Sequence, residues 1–174
     1  MKGILKTVMT DIKTSINGLT IRYATKDDVK DILYFIKKLA EFENELEYVT
    51  ATEEDITDSL FNKEAANVIF PIYENSKVGF AVFHRTFSTF LCKPGINLVD
   101  LFIKQEMRNR GFGEEILKYL ASIVDRENMG RLEWWVHDWN HKAKEFYKRI
   151  GSKEIDNIRV YRLDGNNLKN ISEK

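Results

Sequence analysis

The sequence predicts an α/β fold in which helices cover both faces of a mixed sheet. Residues Leu98 to Ile103 are almost all apolar, which indicates a central strand buried on both faces. Apolar residues recur at helical spacing between Val29 and Ala40, and again after Gly113, so each segment is predicted to pack one helix face on the sheet. Along the chain the predicted elements follow the order β-α-α-β-β-β-α-β-α-β, which is typical of such a layered fold.

The composition is that of an ordinary enzyme domain. The 174 residues are enough for one large core and few for two domains. The 27 basic and 27 acidic residues cancel, which argues against nucleic acid or an anionic membrane as a partner. A single cysteine, Cys92, excludes an internal disulfide, and no Cys/His spacing suggests a metal. Since no apolar run is long enough to cross a bilayer, we expect a soluble, cytoplasmic protein.

The first 18 residues are predicted to form a leader that precedes the domain. The spacing of its apolar residues is typical of a short amphipathic helix, with a loosely docked segment or a targeting helix as alternatives. We therefore place the domain at residues 19–165 and a polar tail at 166–174. The apolar positions of the leader are Ile4, Val8, Ile12 and Ile16.

Cap and turn residues divide the rest of the chain. Thr25 with Asp28, and Thr52 with Asp55, form capping boxes that begin two helices. Lys93-Pro94-Gly95 is a candidate turn at the end of a long loop. The predicted strands are residues 19–24, 67–73, 77–86, 98–103, 132–137 and 158–163, and the predicted helices are residues 25–42, 52–61, 113–129 and 140–150, with a loop at 87–95.

The turn from Arg108 to Gly113, between the central strand and the next helix, has the features of an anion site. Gly111 and Gly113 allow backbone N–H groups to turn toward a ligand, the helix adds the positive end of its dipole, and Arg108 and Arg110 add charge. This combination suits a phosphate or pyrophosphate. A glycine turn is also a common plain connection, so these residues alone leave both interpretations open.

Four motifs in order carry a family resemblance. They are the stretch Phe87 to Gly95, the R-x-x-G-x-G pattern of Arg108 to Gly113, the segment Trp134 to Asn140, and Phe146-Tyr147 followed by Gly151. Together they resemble the GNAT superfamily of N-acetyltransferases, in particular its diamine (spermidine/spermine-like) acetyltransferase branch, over about residues 19–165. The resemblance implies the single-domain GNAT fold, a mostly antiparallel sheet whose central strands splay apart, and a homodimer.

The same resemblance implies which residues bind acetyl-CoA and a small-molecule amine, with no metal. Tyr147 is the implied acid that protonates the departing CoA thiolate. The implied substrate-binding residues are Phe42, Glu43, Val99 and Asp138. The implied residues for the acetyl-CoA cosubstrate are Leu101, Phe102, Ile103, Arg108, Asn109, Arg110, Gly111, Phe112, Gly113, Glu114, Asn140 and Lys142.

One position departs from the branch in a way that affects the chemistry. Leu98-Val99-Asp100 stands where the branch reads L-E-D, so a valine replaces the glutamate taken as the amine-binding base. An alkylamine of pKa about 10.4 is only about 0.1% neutral near pH 7, so a proton acceptor matters. Because strand side chains alternate, we expect Asp100 to point to the opposite face, which leaves Glu43, Asp138, a water chain or bulk solvent as acceptors.

Three functions follow from these patterns. The first is acetylation of a small amine, either a diamine, a polyamine or a lysine-like amino acid. The second is acetylation of a protein or peptide amine. The third is binding of CoA with little catalysis, which Val99 suggests.

Overall fold

The computed structural model describes residues 11–173 of the chain. The strands are β1 (Ile12–Lys13), β2 (Leu19–Tyr23), β3 (Asn67–Tyr73), β4 (Ser76–Lys77), β5 (Gly79–Ser88), β6 (Lys93–Ile103) and β7 (Leu132–Trp134). The helices are α1 (Val29–Glu43), α2 (Glu53–Ile56, extended by a π-helical turn over Thr57–Asn62), α3 (Phe112–Arg126), α4 (His141–Arg149) and α5 (Gly165–Ser172).

The strands form one open sheet in the order β1-β2-β3-β5-β6-β7, with β4 paired beside β3. Every pair is antiparallel except β6 with β7, which are parallel. The predicted mixed, mostly antiparallel sheet is therefore confirmed.

Helix α1 covers one face of the sheet. The carboxylate of Asp28 accepts hydrogen bonds from the backbone N–H and the hydroxyl of Thr25, as the capping box predicted, and the helix follows. The buried residues of α1 and α2 pack with apolar residues of three strands, and aromatic rings dominate this cluster. Its buried members are Val29, Ile32, Phe35, Ile56, Val68, Phe70, Phe80 and Phe102.

Helix α3 covers the opposite face. Tyr119 of α3 lies edge-on to Tyr23 of β2, which in turn contacts Phe83 of β5. Phe80 and Ala81 are both fully buried although they are neighbours on β5, so both faces of this strand are covered. Helices thus lie on both sides of the sheet, as the sequence predicted.

The end of the leader belongs to the sheet. Ile12 and Lys13 pair with Ile21 and Thr20 of β2, so the helix predicted through Ile12 and Ile16 is wrong for these residues. The rest of that prediction, Ile4 and Val8, lies outside the described residues.

Several further predictions need correction. The predicted loop at 87–95 is largely strand, because β5 and β6 continue as a hairpin as far as Ser88 and Lys93, and Lys93-Pro94-Gly95 pairs in β6 instead of turning. The strand predicted to His137 ends at Trp134. The strand predicted at 158–163 is absent from the described residues, and the polar tail contains α5.

The chain divides into two compact units, one ending at Trp135 and the other beginning at Val136. The first contains the sheet with α1, α2 and α3, and the second contains α4 and α5. Within residues 11–173, no helix combines the length and the hydrophobicity that crossing a membrane requires.

Candidate functional site

Strand β6 is paired on both sides along only part of its length. It pairs with β5 from end to end, but with β7 only through Ile96, Asn97 and Leu98. Among residues 11–173, no strand pairs with the segment 99–103 on the side away from β5. Because successive N–H groups of a strand point to alternate sides, at least one N–H of Leu101 to Ile103 faces this open side. The segment therefore offers a backbone donor to a ligand that lies along it.

The side chains of Leu101 and Phe102 in this segment serve packing. Phe102 is buried in the cluster beneath α1. Leu101 faces α3, where its side chain lies 3.9 Å from the position that a Cβ on Gly113 would take. Of the cosubstrate residues predicted here, Phe102 can therefore contribute only its backbone.

The predicted anion site lies at the start of α3. Asn109 and Gly111 adopt positive φ angles of 61° and 81°, and Gly111 is the N-cap residue. No side chain within residues 11–173 caps this helix, so the first-turn N–H groups of Phe112, Gly113 and Glu114 have no side-chain acceptor. An uncapped helix N-terminus beside two residues of left-handed backbone fits a pyrophosphate.

The acids of this first turn are already paired, which limits their repulsion of an anion. Glu114 forms an ion pair with Lys118 at 3.1 Å. Buried Glu115 accepts hydrogen bonds from the N–H and hydroxyl of Ser15, at 2.8 and 2.7 Å, and from Lys118 at 2.9 Å. Burial opposes ionisation of Glu115, but these donors outweigh it and lower its pKa. Sequence reasoning missed this contact, because Ser15 and Glu115 lie 100 positions apart.

The two arginines of the turn differ. The guanidinium of Arg108 lies 4.5 Å from the ring centre of Phe42 and 5.5 Å from that of Phe102, and its Nε donates to the carbonyl of Ile103 at 2.9 Å. Arg108 therefore joins the end of α1 to the end of β6. Arg110 is exposed and has no ion pair or hydrogen bond within the described part of the chain, so it is the arginine available to a ligand.

The predicted substrate residues Phe42 and Glu43 end α1. Asn44 caps this end with a left-handed φ of 60°. Phe42 carries Arg108 over its ring and keeps about a third of its surface exposed, while Glu43 is half-buried. The structure thus places Phe42 and Glu43 at the same end of the sheet as the turn that begins at Arg108.

Val99 is the extra residue of a β-bulge. Val82 of β5 lies opposite Asp100 and Phe83 lies opposite Leu98, which leaves Val99 without a partner on β5. Its side chain is 45% exposed, although the apolar run predicted a buried strand. The regular alternation on which the expectation for Asp100 depended is broken here.

In the second unit, the predicted residues near the start of α4 are polar, and two of the three are exposed. The side chain of Asn140 accepts a hydrogen bond from the N–H of Ala143 at 3.2 Å and caps the helix, as predicted. Asp138 is fully exposed and pairs with Lys144 at 3.3 Å, and Lys142 is also exposed. The Asp138 carboxylate is therefore already paired with a neighbouring lysine on the surface of the second unit.

Tyr147, the predicted acid, lies in α4 and is half-buried. Burial raises the pKa of Tyr147. A phenol with a raised pKa stays protonated at neutral pH, as a proton donor must.

Comparison with known proteins agrees with this geometry. The model of the Acetyltransferase (GNAT) family matches residues 33–151. The chain is 28% identical to L-ornithine N5-acetyltransferase NATA1 of Arabidopsis thaliana, over 88% of this chain and 87% of the relative. It is 26% identical to thialysine N-epsilon-acetyltransferase of Bos taurus, over 88% of this chain and 97% of the relative.

A solved structure, the integron cassette protein VCH_CASS6 from the mobile metagenome of V. cholerae, superimposes with a TM-score of 0.76. It is 25% identical, and the match covers 90% of this chain and 99% of the other. The fold predicted from the sequence is thus found in a solved relative of nearly the same extent.

Proposed function

We propose that this chain, which belongs to the acetyltransferase (GNAT) family, transfers an acetyl group from acetyl-CoA to a primary amine of a small cationic substrate. Membership of the family and the named relatives make it an N-acetyltransferase that acts on amines. Our proposal adds the cosubstrate, the size and charge of the substrate, and direct attack in a ternary complex. It also includes a cytoplasmic homodimer.

One observation carries this proposal: the open side of β6 ends at an uncapped helix N-terminus. A cosubstrate with a pyrophosphate and a long acyl arm needs an anion site continuous with a row of backbone donors. The first-turn N–H groups of Phe112, Gly113 and Glu114 would bind the pyrophosphate, and Arg110 would add charge. An N–H of Leu101 to Ile103 would stabilise the oxyanion formed on the thioester carbonyl. Bound acetyl-CoA supplies that thioester.

The substrate class follows from charge. The end of α1 and the turn after it carry acidic residues at alternate positions, which favour a cation through their summed field. Ornithine and thialysine, on which the two named relatives act, each carry an amine on the side chain of an amino acid. We therefore favour a lysine-like amino acid over a diamine or polyamine. The acidic residues are Glu41, Glu43, Glu45 and Glu47.

The test is thiol release from acetyl-CoA across a panel of amines: ornithine, thialysine, lysine, putrescine, spermidine and a lysine-containing peptide. We expect the highest kcat/KM with a free amino acid. Turnover of the peptide alone would favour the protein-modifying alternative. Binding of acetyl-CoA without any turnover would reduce the protein to a CoA-binding module.

The role of Tyr147 has a separate test. Tyr147→Phe removes one hydroxyl and keeps the ring, so loss of the acid should lower kcat by about 10²–10⁴ and leave the melting temperature unchanged. Tyr161→Phe makes the same change at an exposed position of the second unit and should leave kcat unaltered. A lower melting temperature with normal kcat would make Tyr147 a packing residue.

A further inference from the structure

The bulge at Val99 changes which face of the sheet the next residues occupy. Residues directly opposite each other on antiparallel strands share a face. Asp100 lies opposite Val82, and Phe102 lies opposite Phe80. Phe80 and Phe102 are core members of the cluster beneath α1, and Val82 packs against it. Asp100 therefore stands on the α1 face of β6.

Without the bulge, Asp100 would stand on the other face. Leu98 lies opposite Phe83, which contacts Tyr23, and Tyr23 contacts Tyr119 of α3. Regular alternation would have placed Asp100 with Leu98 on this α3 face. Because Val99 is inserted, Asp100 instead shares a face with Asn97, which lies opposite His84 before the bulge. Asp100 therefore does not follow the regular alternation on which the expectation about its face depended.

Asp100 differs from the buried carboxylates of the chain. Asp28 is held by Arg22, Lys77 and Thr25, and Glu115 is held by Ser15 and Lys118. Asp100 is half-buried and has no hydrogen bond or ion pair with any residue between 11 and 173. Burial raises the pKa of Asp100, and no cation among residues 11–173 offsets this effect. A carboxylate removed from water without a partner favours an incoming cation.

Asp100 also lies beside the backbone donors proposed for the thioester. It stands in the part of β6 that has no partner on the side away from β5, directly before the predicted backbone donors. Two residues further, about 7 Å along the strand, Phe102 contacts Arg108, and the same guanidinium lies over Phe42. The α1 face of β6 thus leads from Asp100 to the acidic end of α1.

We infer that Asp100, and not residue 99, binds the substrate ammonium group and accepts its proton. This inference rests on the proposed amine acetylation. The ammonium gives one proton to the Asp100 carboxylate, which passes it to solvent. The neutral nitrogen then bonds to the thioester carbonyl carbon, the carbon–sulfur bond breaks, and the second nitrogen proton ends on the thiolate. The products are an acetamide, a thiol and one released proton.

Other charged and titratable groups face the same side of the sheet. His84 on β5 lies opposite Asn97, and its Nδ1 lies 3.0 Å from the carbonyl oxygen of Arg85. The other groups belong to neighbouring elements. Those that stand over rings of the α1 cluster are Arg22, Lys77, Lys104 and Arg108. Tyr34 lies beside Phe35 of that cluster, Lys38 stands over Tyr34, and Glu43 ends α1. A pH profile alone would not separate them from Asp100.

The test therefore varies the pKa of the amine. Lysine and thialysine have nearly the same shape, but the sulfur of thialysine withdraws electrons and lowers the pKa of its amine. Asp100→Asn should lower kcat/KM for lysine by about 10²–10⁴, with a smaller loss for thialysine, because thialysine needs the base less. Calorimetry with acetyl-CoA should give unchanged affinity. Asp125→Asn, the same change at an exposed site on α3, should leave both substrates unaffected.

Three results would overturn the assignment. If the parent protein acetylates an amine and folded Asp100→Asn does so equally well, the assignment to Asp100 alone is wrong. Equal losses for lysine and thialysine would exclude proton acceptance. If the parent acetylates no amine at all, the proposed function fails, and the role of Asp100 fails with it.

Discussion

The two halves of β6 have the same apolar character and opposite roles. Ile96 to Leu98 lie between β5 and β7 and are all buried. Val99 is the unpaired bulge residue, and Asp100 to Ile103 pair with β5 alone and lead into the turn at Arg108. The sequence predicted one buried strand over 98–103, a range that crosses from one half to the other. Pairing, and not hydrophobicity, separates the half that stabilises the sheet from the half that can meet a ligand.

The comparison shows why a carboxylate is found only in the second half. Within a fully paired, buried strand an unpartnered carboxylate would destabilise the fold. The open half tolerates Asp100 because no strand within residues 11–173 pairs with one side of it. Mutations in the two halves should therefore change different quantities: stability in the first and ligand binding or turnover in the second.

The largest effect is expected in the turn that follows the open half. Gly111→Asp should abolish acetyl-CoA binding, because the carboxylate would repel the pyrophosphate at the start of α3. Gly111→Asn is the matched control, since asparagine has nearly the same shape, no charge, and tolerance for the φ of 81° found here. The added Cβ would meet the flexible end of Ile16 at 3.1 Å. Calorimetric affinity for acetyl-CoA measures the difference; equal affinities would show that the anion site lies elsewhere.

In the paired half, Leu98→Ala should lower the free energy of unfolding by about 2–5 kcal/mol, because it leaves a cavity beside Phe83. The adjacent Val99→Ala removes less surface from a residue that is 45% exposed, so its cost should stay below about 1 kcal/mol. Urea unfolding compares the two. Similar costs would mean that the bulge residue is packed as tightly as the paired strand, contrary to the comparison.

The smallest effect is a gain in stability from Asp100→Asn. Because the pKa of Asp100 is raised in the folded protein, its ionised form lowers the stability of the fold. This loss is absent below the unfolded-state pKa of about 3.9 and grows as pH rises through the folded-state pKa. Asparagine should therefore raise the unfolding free energy near pH 7 by on the order of 1 kcal/mol, with no difference near pH 3.

Asp28→Asn is the contrasting control for that gain. Burial opposes ionisation of Asp28, but Arg22, Lys77 and Thr25 outweigh it and hold its pKa far below the usual range. The stability that ionised Asp28 contributes is present above the unfolded-state pKa and is lost as pH falls. Asp28→Asn should therefore lower the free energy of unfolding by about 3 kcal/mol near pH 7. A loss of stability in Asp100→Asn as well would make Asp100 a structural residue.

Local patterns determined much of this protein. Two helix starts were determined by capping boxes, formed by Thr25 with Asp28 and by Thr52 with Asp55. The apolar spacing determined α1 and α3, and the glycine turn determined where α3 begins. These signals act between residues a few positions apart, so they can be read directly from the chain. The motif order also identified the family and the fold.

Only the tertiary structure decided the details on which the chemistry depends. The bulge at Val99 arises from the register of β5 against β6. The burial of Glu115 arises from its contact with Ser15, and the position of Arg108 arises from its contact with the end of α1. Each of these features joins residues distant in the sequence or depends on how two strands align. Local propensity contains no information about distant contacts or strand register. One inserted residue in a strand moved a carboxylate from one face of the sheet to the other.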